Sequence, residues 1–385
     1  MRVLFVNLPY SGHIYPTLGL VQELIERGHQ VAYVLTPEWE QKIAGHGAEF
    51  IGYDNHPKLS VQMRRAYHAA LSAVPHYDLI LYEQFFFLGK PLAEKFNKPV
   101  VRIFTSLAAN DKLMYIYVRS GGLFGLFRWK WVCKSWTKEV AQGIPLKTDS
   151  WLEEITHNPP ELNLVYTVRD YQMYADEFSD TQYKFLGPSI YERPNEGADL
   201  PLDSLKKPII YISLGTIFNK SKAFYKKCFS AFGNEAATVI MPVGDKTDPS
   251  RMGAIPDNFI VKTFVPQIEV LKKADVFITH GGVNSINEAL YFGVPMVVIP
   301  AHTDQPANAG RVEELKLGRR LSRRHLTHVN VKKTTMLVMS DPEIRHNISE
   351  MQKKMHEAGG NRYGADVILA YAFGYRSDQA YKEME

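Results

Sequence analysis

Cysteine is scarce in this chain: Cys133 and Cys228 are the only two thiols, and they lie far apart. That excludes a disulfide framework and a cysteine-built metal cluster. No apolar run approaches the ~20 residues that a membrane-spanning helix needs. An excess of one charge is missing too: 45 basic against 41 acidic residues leave a net charge of +4, too small to require a nucleic-acid partner. The turn after the first predicted strand has no G-x-G-x-x-G, which weighs against an NAD-dependent dehydrogenase. There is no repeat between the halves and no low-complexity tract. Met1 opens directly into a strand-like run without a separate apolar leader and cleavage site, so a cytoplasmic location is expected.

What is present is apolar residue enough for two cores. At 385 residues and 45% hydrophobic, the chain exceeds one ordinary core. Residues 3–8 form an apolar run that ends at Pro9-Tyr10-Ser11-Gly12-His13. The spacing of Leu18, Val21, Leu24 and Ile25 predicts a helix behind it, with Pro16 near its start and Gly28 past its end. Further strands are predicted at 30–35, 77–82, 100–105, 162–168 and 183–186, while 37–77 reads as short helical and loop patterns. Strands alternating with helices in this way imply a doubly wound α/β sheet with a functional turn after the first strand. His13 sits in that turn, where a histidine taken alone is more often structural than catalytic. Polar, proline-bearing residues 191–207 read as a linker, after which 209–214 begins a second sheet. Residues 341–373 look helical.

The densest signal runs from 264 to 308. ADVFITH is a β-branched run that stops at His280-Gly281-Gly282, and the spacing of Val283, Ile286, Ala289 and Leu290 then turns helical. A strand feeding a helix there turns unpaired backbone N–H groups and roughly half a positive charge outward, which suits a phosphate. Asn284 and Ser285 add donors in the first turn, and Glu288 puts a carboxylate one turn further on. A second strand, 294–300, ends in Ala301-His302-Thr303-Asp304-Gln305-Pro306. In a parallel sheet both turns fall on the carboxyl edge, where ligands bind. Together they read as a site for a phosphorylated polyol. The turn Ser213-Leu214-Gly215-Thr216 adds a close backbone approach at Gly215 and a hydroxyl for a diphosphate oxygen at Thr216. Arg319-Arg320 and Arg323-Arg324-His325 read as a solvated loop face.

FVPQ, HGGVNSINEAL, GVP and HTDQPANA follow one another in this order, with GHIYPTL near the amino end. On these motifs the chain resembles the UDP-dependent family 1 glycosyltransferases, most of all the bacterial macrolide and flavonoid glucosyltransferases. The resemblance covers nearly the whole chain and is densest over 208–325. It implies the α/β GT-B fold, two Rossmann-like doubly wound parallel-sheet domains facing a central cleft. The implied boundaries are 1–190 for an acceptor-binding domain, 191–207 for the linker, 208–362 for a donor-binding domain, and 363–385 for a helix packing back on the first.

The resemblance makes His13 the general base. Glu83 stands where many relatives carry the aspartate that orients this base, with Asp111 as a fallback. For the donor, Phe264 would lie against the uracil, where many relatives have tryptophan, and Val265 and Gln267 would meet base and ribose. Glu288 would accept from ribose hydroxyls. Gly215, Thr216, His280, Gly282, Asn284 and Ser285 would hold the diphosphate, and Asp304 and Gln305 the sugar. Val283 replaces a tryptophan of plant relatives, so no sugar contact is carried over there. Tyr10, Ile14, Phe85, Asp111, Met114, Phe124 and Phe127 are the implied acceptor residues. The aromatic and basic segment 113–136 admits three readings: a membrane-surface helix, a nucleic-acid stacking surface, or the acceptor-side segment that the resemblance favours. Gly121, Gly122 and Gly125 interrupt a continuous amphipathic helix and weigh against the first.

The expected reaction is inverting transfer of a hexose, glucose first, from a UDP-sugar co-substrate to a hydroxyl of a hydrophobic flavonoid, macrolide or other phenol or alcohol. It would need no metal and no cofactor. The alternatives are a GT-B-like sugar-nucleotide epimerase or hydrolase, and a catalytically silent nucleotide-sugar binding protein. No nucleic-acid partner and no stable membrane insertion are expected, and monomer and dimer both stay open.

Overall fold

A strand buried on both faces of a parallel sheet reads as an unbroken apolar run, and such runs supply most of the central strands of this fold. The computed structural model describes residues 1–119, 123–191, 193, 200–215, 222–245, 247–301 and 304–382, and the side chains of 118–130, 251, 376 and 378–382 lie outside that description. The chain divides into two units, Met1–Tyr191 with Ala358–Glu385, and Glu192–Glu357.

The first unit holds β1 (Arg2–Val6), β2 (Gln30–Leu35), β3 (Glu49–Gly52), β4 (Leu79–Glu83), β5 (Val100–Phe104), β6 (Leu162–Val165) and β7 (Tyr183–Phe185). These seven strands are parallel, in the order β3-β2-β1-β4-β5-β6-β7. Alternate residues of β1 feed opposite cores. Val3 and Phe5 pack with Ile14, Leu18, Val21 and Leu24 of the helix Ser11–Glu26, and with Ala365, Ile368 and Ala372 of the helix Gly360–Lys382. Leu4 and Val6 pack with Met63, Ala66 and Ala70 of the helix Leu59–Ala73.

The second unit holds β8 (Ile209–Ser213), β9 (Thr238–Pro242), β10 (Phe259–Lys262), β11 (Val276–Thr279), β12 (Met296–Val298) and β13 (Gly318–Arg320). These are also parallel, in the order β10-β9-β8-β11-β12-β13. Each sheet is therefore a doubly wound, Rossmann-like sheet with one place where the strand order reverses: β1 beside β4 in the first, and β8 beside β11 in the second. A crevice opens at the carboxyl ends of such a strand pair.

Several local expectations are corrected. The helix begins at Ser11, so His13 lies in its first turn rather than in the loop before it. β4 runs to Glu83 rather than stopping at residue 82, which makes Glu83 the last residue of a fully buried strand. The edge strand β3 lies within a segment expected to hold only helix and loop. Arg319 and Arg320 belong to β13 rather than to a loop, though their side chains are exposed as expected. Gly125 does not interrupt a helix, because it sits inside Leu123–Ala141. The single helical stretch expected at 341–373 is two helices, Pro342–Glu357 and Gly360–Lys382, parted where Gly359 and Gly360 take φ of +83° and +55°.

Candidate functional site

In the first unit the reversal between β1 and β4 brings together groups far apart in the chain. The helix behind β1 carries His13, whose Nδ1 is 2.9 Å from Oε1 of Glu83 at the end of β4. Thr105, the residue after β5, places its Oγ1 2.9 Å from the same nitrogen and donates to the same carboxylate oxygen at 2.9 Å. Oε2 of Glu83 accepts from the Phe85 N–H at 2.9 Å. The carboxylate is wholly buried, yet three donors surround it, which is how a buried charge is held in place. A carboxylate accepts and cannot donate, so His13 carries its proton on Nδ1 and its lone pair on Nε2. The imidazole remains about a quarter exposed, at 24%. Beneath it the Asn7 carboxamide donates to the His13 carbonyl and to the Tyr33 hydroxyl, both at 2.9 Å, and so fixes the first helical turn.

Among the implied acceptor residues, Tyr10 and Phe85 flank His13, with ring centroids 6.0 and 4.9 Å from the imidazole. Met114 is half-buried against the core. Ile14 is fully buried in the sheet's packing and offers no surface to a ligand, because its helical position turns it toward β1. Asp111 is not the partner of His13, since it bonds His157 Nε2 at 2.7 Å on the surface. The side chains of Phe124 and Phe127 lie outside the described residues.

In the second unit His280 follows β11 and leans across the reversal toward β8. A Cβ on Gly215 would stand 2.7 Å from the ring's Cε1, and Gly215 has φ +70°, so both space and backbone demand glycine there. Gly282 is the N-cap of the helix Val283–Tyr291 and supplies no capping side chain. The first helical turn therefore carries the positive end of the peptide dipoles, with Asn284 and Ser285 half-buried beside it. Asn308, fully buried, ties this turn to the next: its carboxamide donates to the Gly281 carbonyl at 2.9 Å and to Asp304 Oδ2 at 2.8 Å.

Glu288 is engaged on both oxygens. Arg193 Nη2 donates to Oε1 and Gln267 Nε2 to Oε2, each at 2.6 Å, and the Tyr211 hydroxyl donates to Gln267 Oε1 at 3.0 Å. Gln305 is buried, and its carboxamide oxygen accepts from the Ala301 N–H at 2.8 Å. Phe264 is half-exposed beside the buried Val265. Thr216 lies outside the described residues. Three groups that order these sites were not anticipated: Thr105, Arg193 and Asn308.

Burial pushes the His280 imidazole down to about 4, although Asp304 and a backbone hydrogen bond at Ser213 pull the other way. The ring is neutral near pH 7 and acts there as a hydrogen-bonding group, not a cation. An unfolded imidazole titrates near 6.5, so on acidification the unfolded chain takes up this proton first. The contribution is therefore fully present above about pH 6.5 and declines as the pH falls toward 4, by on the order of 3 kcal/mol. Thermal melts at pH 7.5 and 4.5 should show a smaller acid loss of Tm for His280→Gln than for the wild type. Equal losses would contradict a buried neutral ring.

The sequence matches the family model described as UDP-glucoronosyl and UDP-glucosyl transferase over residues 198–358. It is 35% identical to NDP-glycosyltransferase YjiC of Bacillus subtilis over 390 residues, covering 96% of this chain and 97% of the relative. Oleandomycin glycosyltransferase of Streptomyces antibioticus is 29% identical, with 96% and 90% covered. Among solved structures, the glycotransferase of kitacinnamycin is similar with a TM-score of 0.82 at 27% identity, over 96% of this chain and 99% of that one.

Proposed function

This chain belongs to the UDP-dependent family 1 glycosyltransferases and is a glycosyltransferase of the GT-B fold; on that premise we propose that it transfers glucose from UDP-glucose, with inversion, to a hydroxyl of a hydrophobic acceptor. The observation that carries the reading is the His13–Glu83 pair, 2.9 Å apart at the strand reversal of the first sheet.

An alcohol is a weak nucleophile at neutral pH, so a base must take its proton as the new bond forms. His13 Nε2 accepts that proton. Glu83 holds the Nδ1–H and stabilises the imidazolium that results. Tyr10 and Phe85 give the approach to Nε2 the apolar walls that suit a greasy alcohol. Attack by the alcohol oxygen on the anomeric carbon expels UDP in one displacement, so an α-linked donor yields a β-glycoside. The departing diphosphate gains charge, and the N-terminus of Val283–Tyr291 with the neutral His280 supplies donors for it. Glu288 accepts from the ribose hydroxyls, and Asp304 serves the hexose. The reaction runs without a metal ion or cofactor.

The test is product analysis on the full chain, using UDP-glucose, UDP-galactose and dTDP-glucose with and without a phenolic acceptor and with EDTA present. Expected is acceptor-dependent UDP release, fastest from UDP-glucose, and a β-linked glycoside by NMR coupling. Equal UDP release without acceptor would reveal a hydrolase, and an α-linked product would overturn the single displacement.

A further inference from the structure

Arg193 stands apart from the segment that contains it. Residues 191–207 are polar and charged, yet the Arg193 side chain is only 12% exposed and meets Glu288, itself 7% exposed, at 2.6 Å. A desolvated ion pair of this kind is a poor source of stability on its own, since the cost of removing two charges from water rivals their attraction. Its geometry suggests a different use.

The Glu288 carboxylate has about four lone-pair positions, two on each oxygen. Arg193 occupies one on Oε1 and Gln267 one on Oε2, so among the described residues one position on each oxygen is left. Two acceptors held side by side match the two neighbouring hydroxyls of a ribose. Gln267 cannot rotate to release its oxygen, because the buried Tyr211 hydroxyl donates to its carbonyl and thereby fixes which end of the amide faces Glu288. Arg193 also cancels a carboxylate charge that would otherwise repel a nucleotide diphosphate.

We propose that Arg193 is a positioning residue for nucleotide recognition: with Gln267 it clamps and neutralises Glu288, so that the two remaining lone pairs read the 2′- and 3′-hydroxyls of the donor's ribose. The proposal rests on the reading above that Glu288 receives ribose hydroxyls, and adds that it does so only while the guanidinium holds it. In this reading Arg193 acts through Glu288, not on the sugar or the reacting atoms. Its loss should therefore be read in selectivity between nucleosides.

Calorimetric titration of the full chain with UDP and with 2′-deoxy-UDP tests this. In the wild type UDP should bind about tenfold or more tighter than its deoxy analogue, the usual worth of a hydrogen bond to a charged group. Arg193→Gln should bring the two dissociation constants to within about threefold, and Arg193→Lys, which keeps the cation but loses the planar fork, should fall between. In Arg193→Gln/Glu288→Gln the deoxy penalty should equal that of Glu288→Gln alone, because the two residues act as one unit. The double variant also leaves no unpaired charge behind, so it reports even where a single one folds poorly. Wild-type selectivity in Arg193→Gln, alongside its loss in Glu288→Gln, would overturn the role of Arg193 only. Unchanged selectivity in Glu288→Gln would overturn the ribose reading of Glu288 and this inference with it.

Discussion

Replacing His13 by alanine is expected to lower the turnover number for glycosyl transfer about 10³-fold, within the range that a positioned general base contributes. The UDP dissociation constant should change by less than about twofold, because no diphosphate or base contact is assigned to His13. The reason lies in the carboxylate beneath the ring. Glu83 receives the His13 Nδ1–H, the Thr105 hydroxyl and the Phe85 N–H, and so holds the imidazole with Nε2 outward. Glu83→Gln keeps the shape but places an amide N–H against Nδ1. The proton is then favoured on Nε2, and the base is blocked although the ring is present. A loss of about 10²–10⁴-fold is expected from that change of tautomer. Single-turnover rates, with UDP affinity measured on the same samples, check both variants. Retention of a tenth of wild-type turnover in His13→Ala, or a parallel collapse of UDP affinity, would remove His13 from its role.

Gly281→Ala should abolish UDP binding and unsettle the second unit. Gly281 has φ +90°, and a Cβ there would stand 2.6 Å from Cγ1 of Val298, at the carboxyl end of the β11–β12 pair. Left-handed strain and steric overlap each cost about 1–3 kcal/mol. For a unit of this size a sum of about 2–6 kcal/mol lowers Tm by roughly 4–24 °C. Any relief must come from moving the turn, which carries the Gly281 carbonyl that Asn308 holds and the helix end proposed above to receive the diphosphate. Gly310→Ala is the matched control: a Cβ there meets nothing within 4 Å and sits in the helix Gln305–Glu314, so stability should hold or rise slightly. A Gly281→Ala protein that melts with the wild type and binds UDP would show that the turn yields freely.

The central strands were legible because burial on both faces leaves one signature, a continuous apolar run. β1, β2, β4, β8 and β11 carry it, and β5 is broken only by Arg102, which is buried and donates to Asn163 Oδ1 and the Ile155 carbonyl. β3 and β13 do not, because they are edge strands: Glu49 and the two arginines of Gly318-Arg319-Arg320 face solvent, and their pairing is set by a neighbour rather than by their own composition. β9 and β10 contain apolar runs of comparable length, and these went unread. At the sites, His13, Glu83 and the His280-Gly281-Gly282 turn stood out because strand ends and glycine junctions are local features. Thr105, Arg193 and Asn308 did not, since each matters through a partner 22 to 95 positions away: Glu83, Glu288 and Gly281. Ile14 was misplaced for a related reason. Its motif position put it beside His13, while helical periodicity turned it into the core.

Ala365, Ile368 and Ala372 fill the same core as β1, yet they are separated from it by the whole of Glu192–Glu357. The first unit is thus completed after the second during synthesis. A nascent chain can finish the middle unit while the opening sheet still lacks part of its packing, reversing the usual amino-to-carboxyl sequence of maturation. Until the helix Gly360–Lys382 leaves the ribosome, that face of the sheet is covered by Ser11–Glu26 but lacks the packing of Ala365, Ile368 and Ala372.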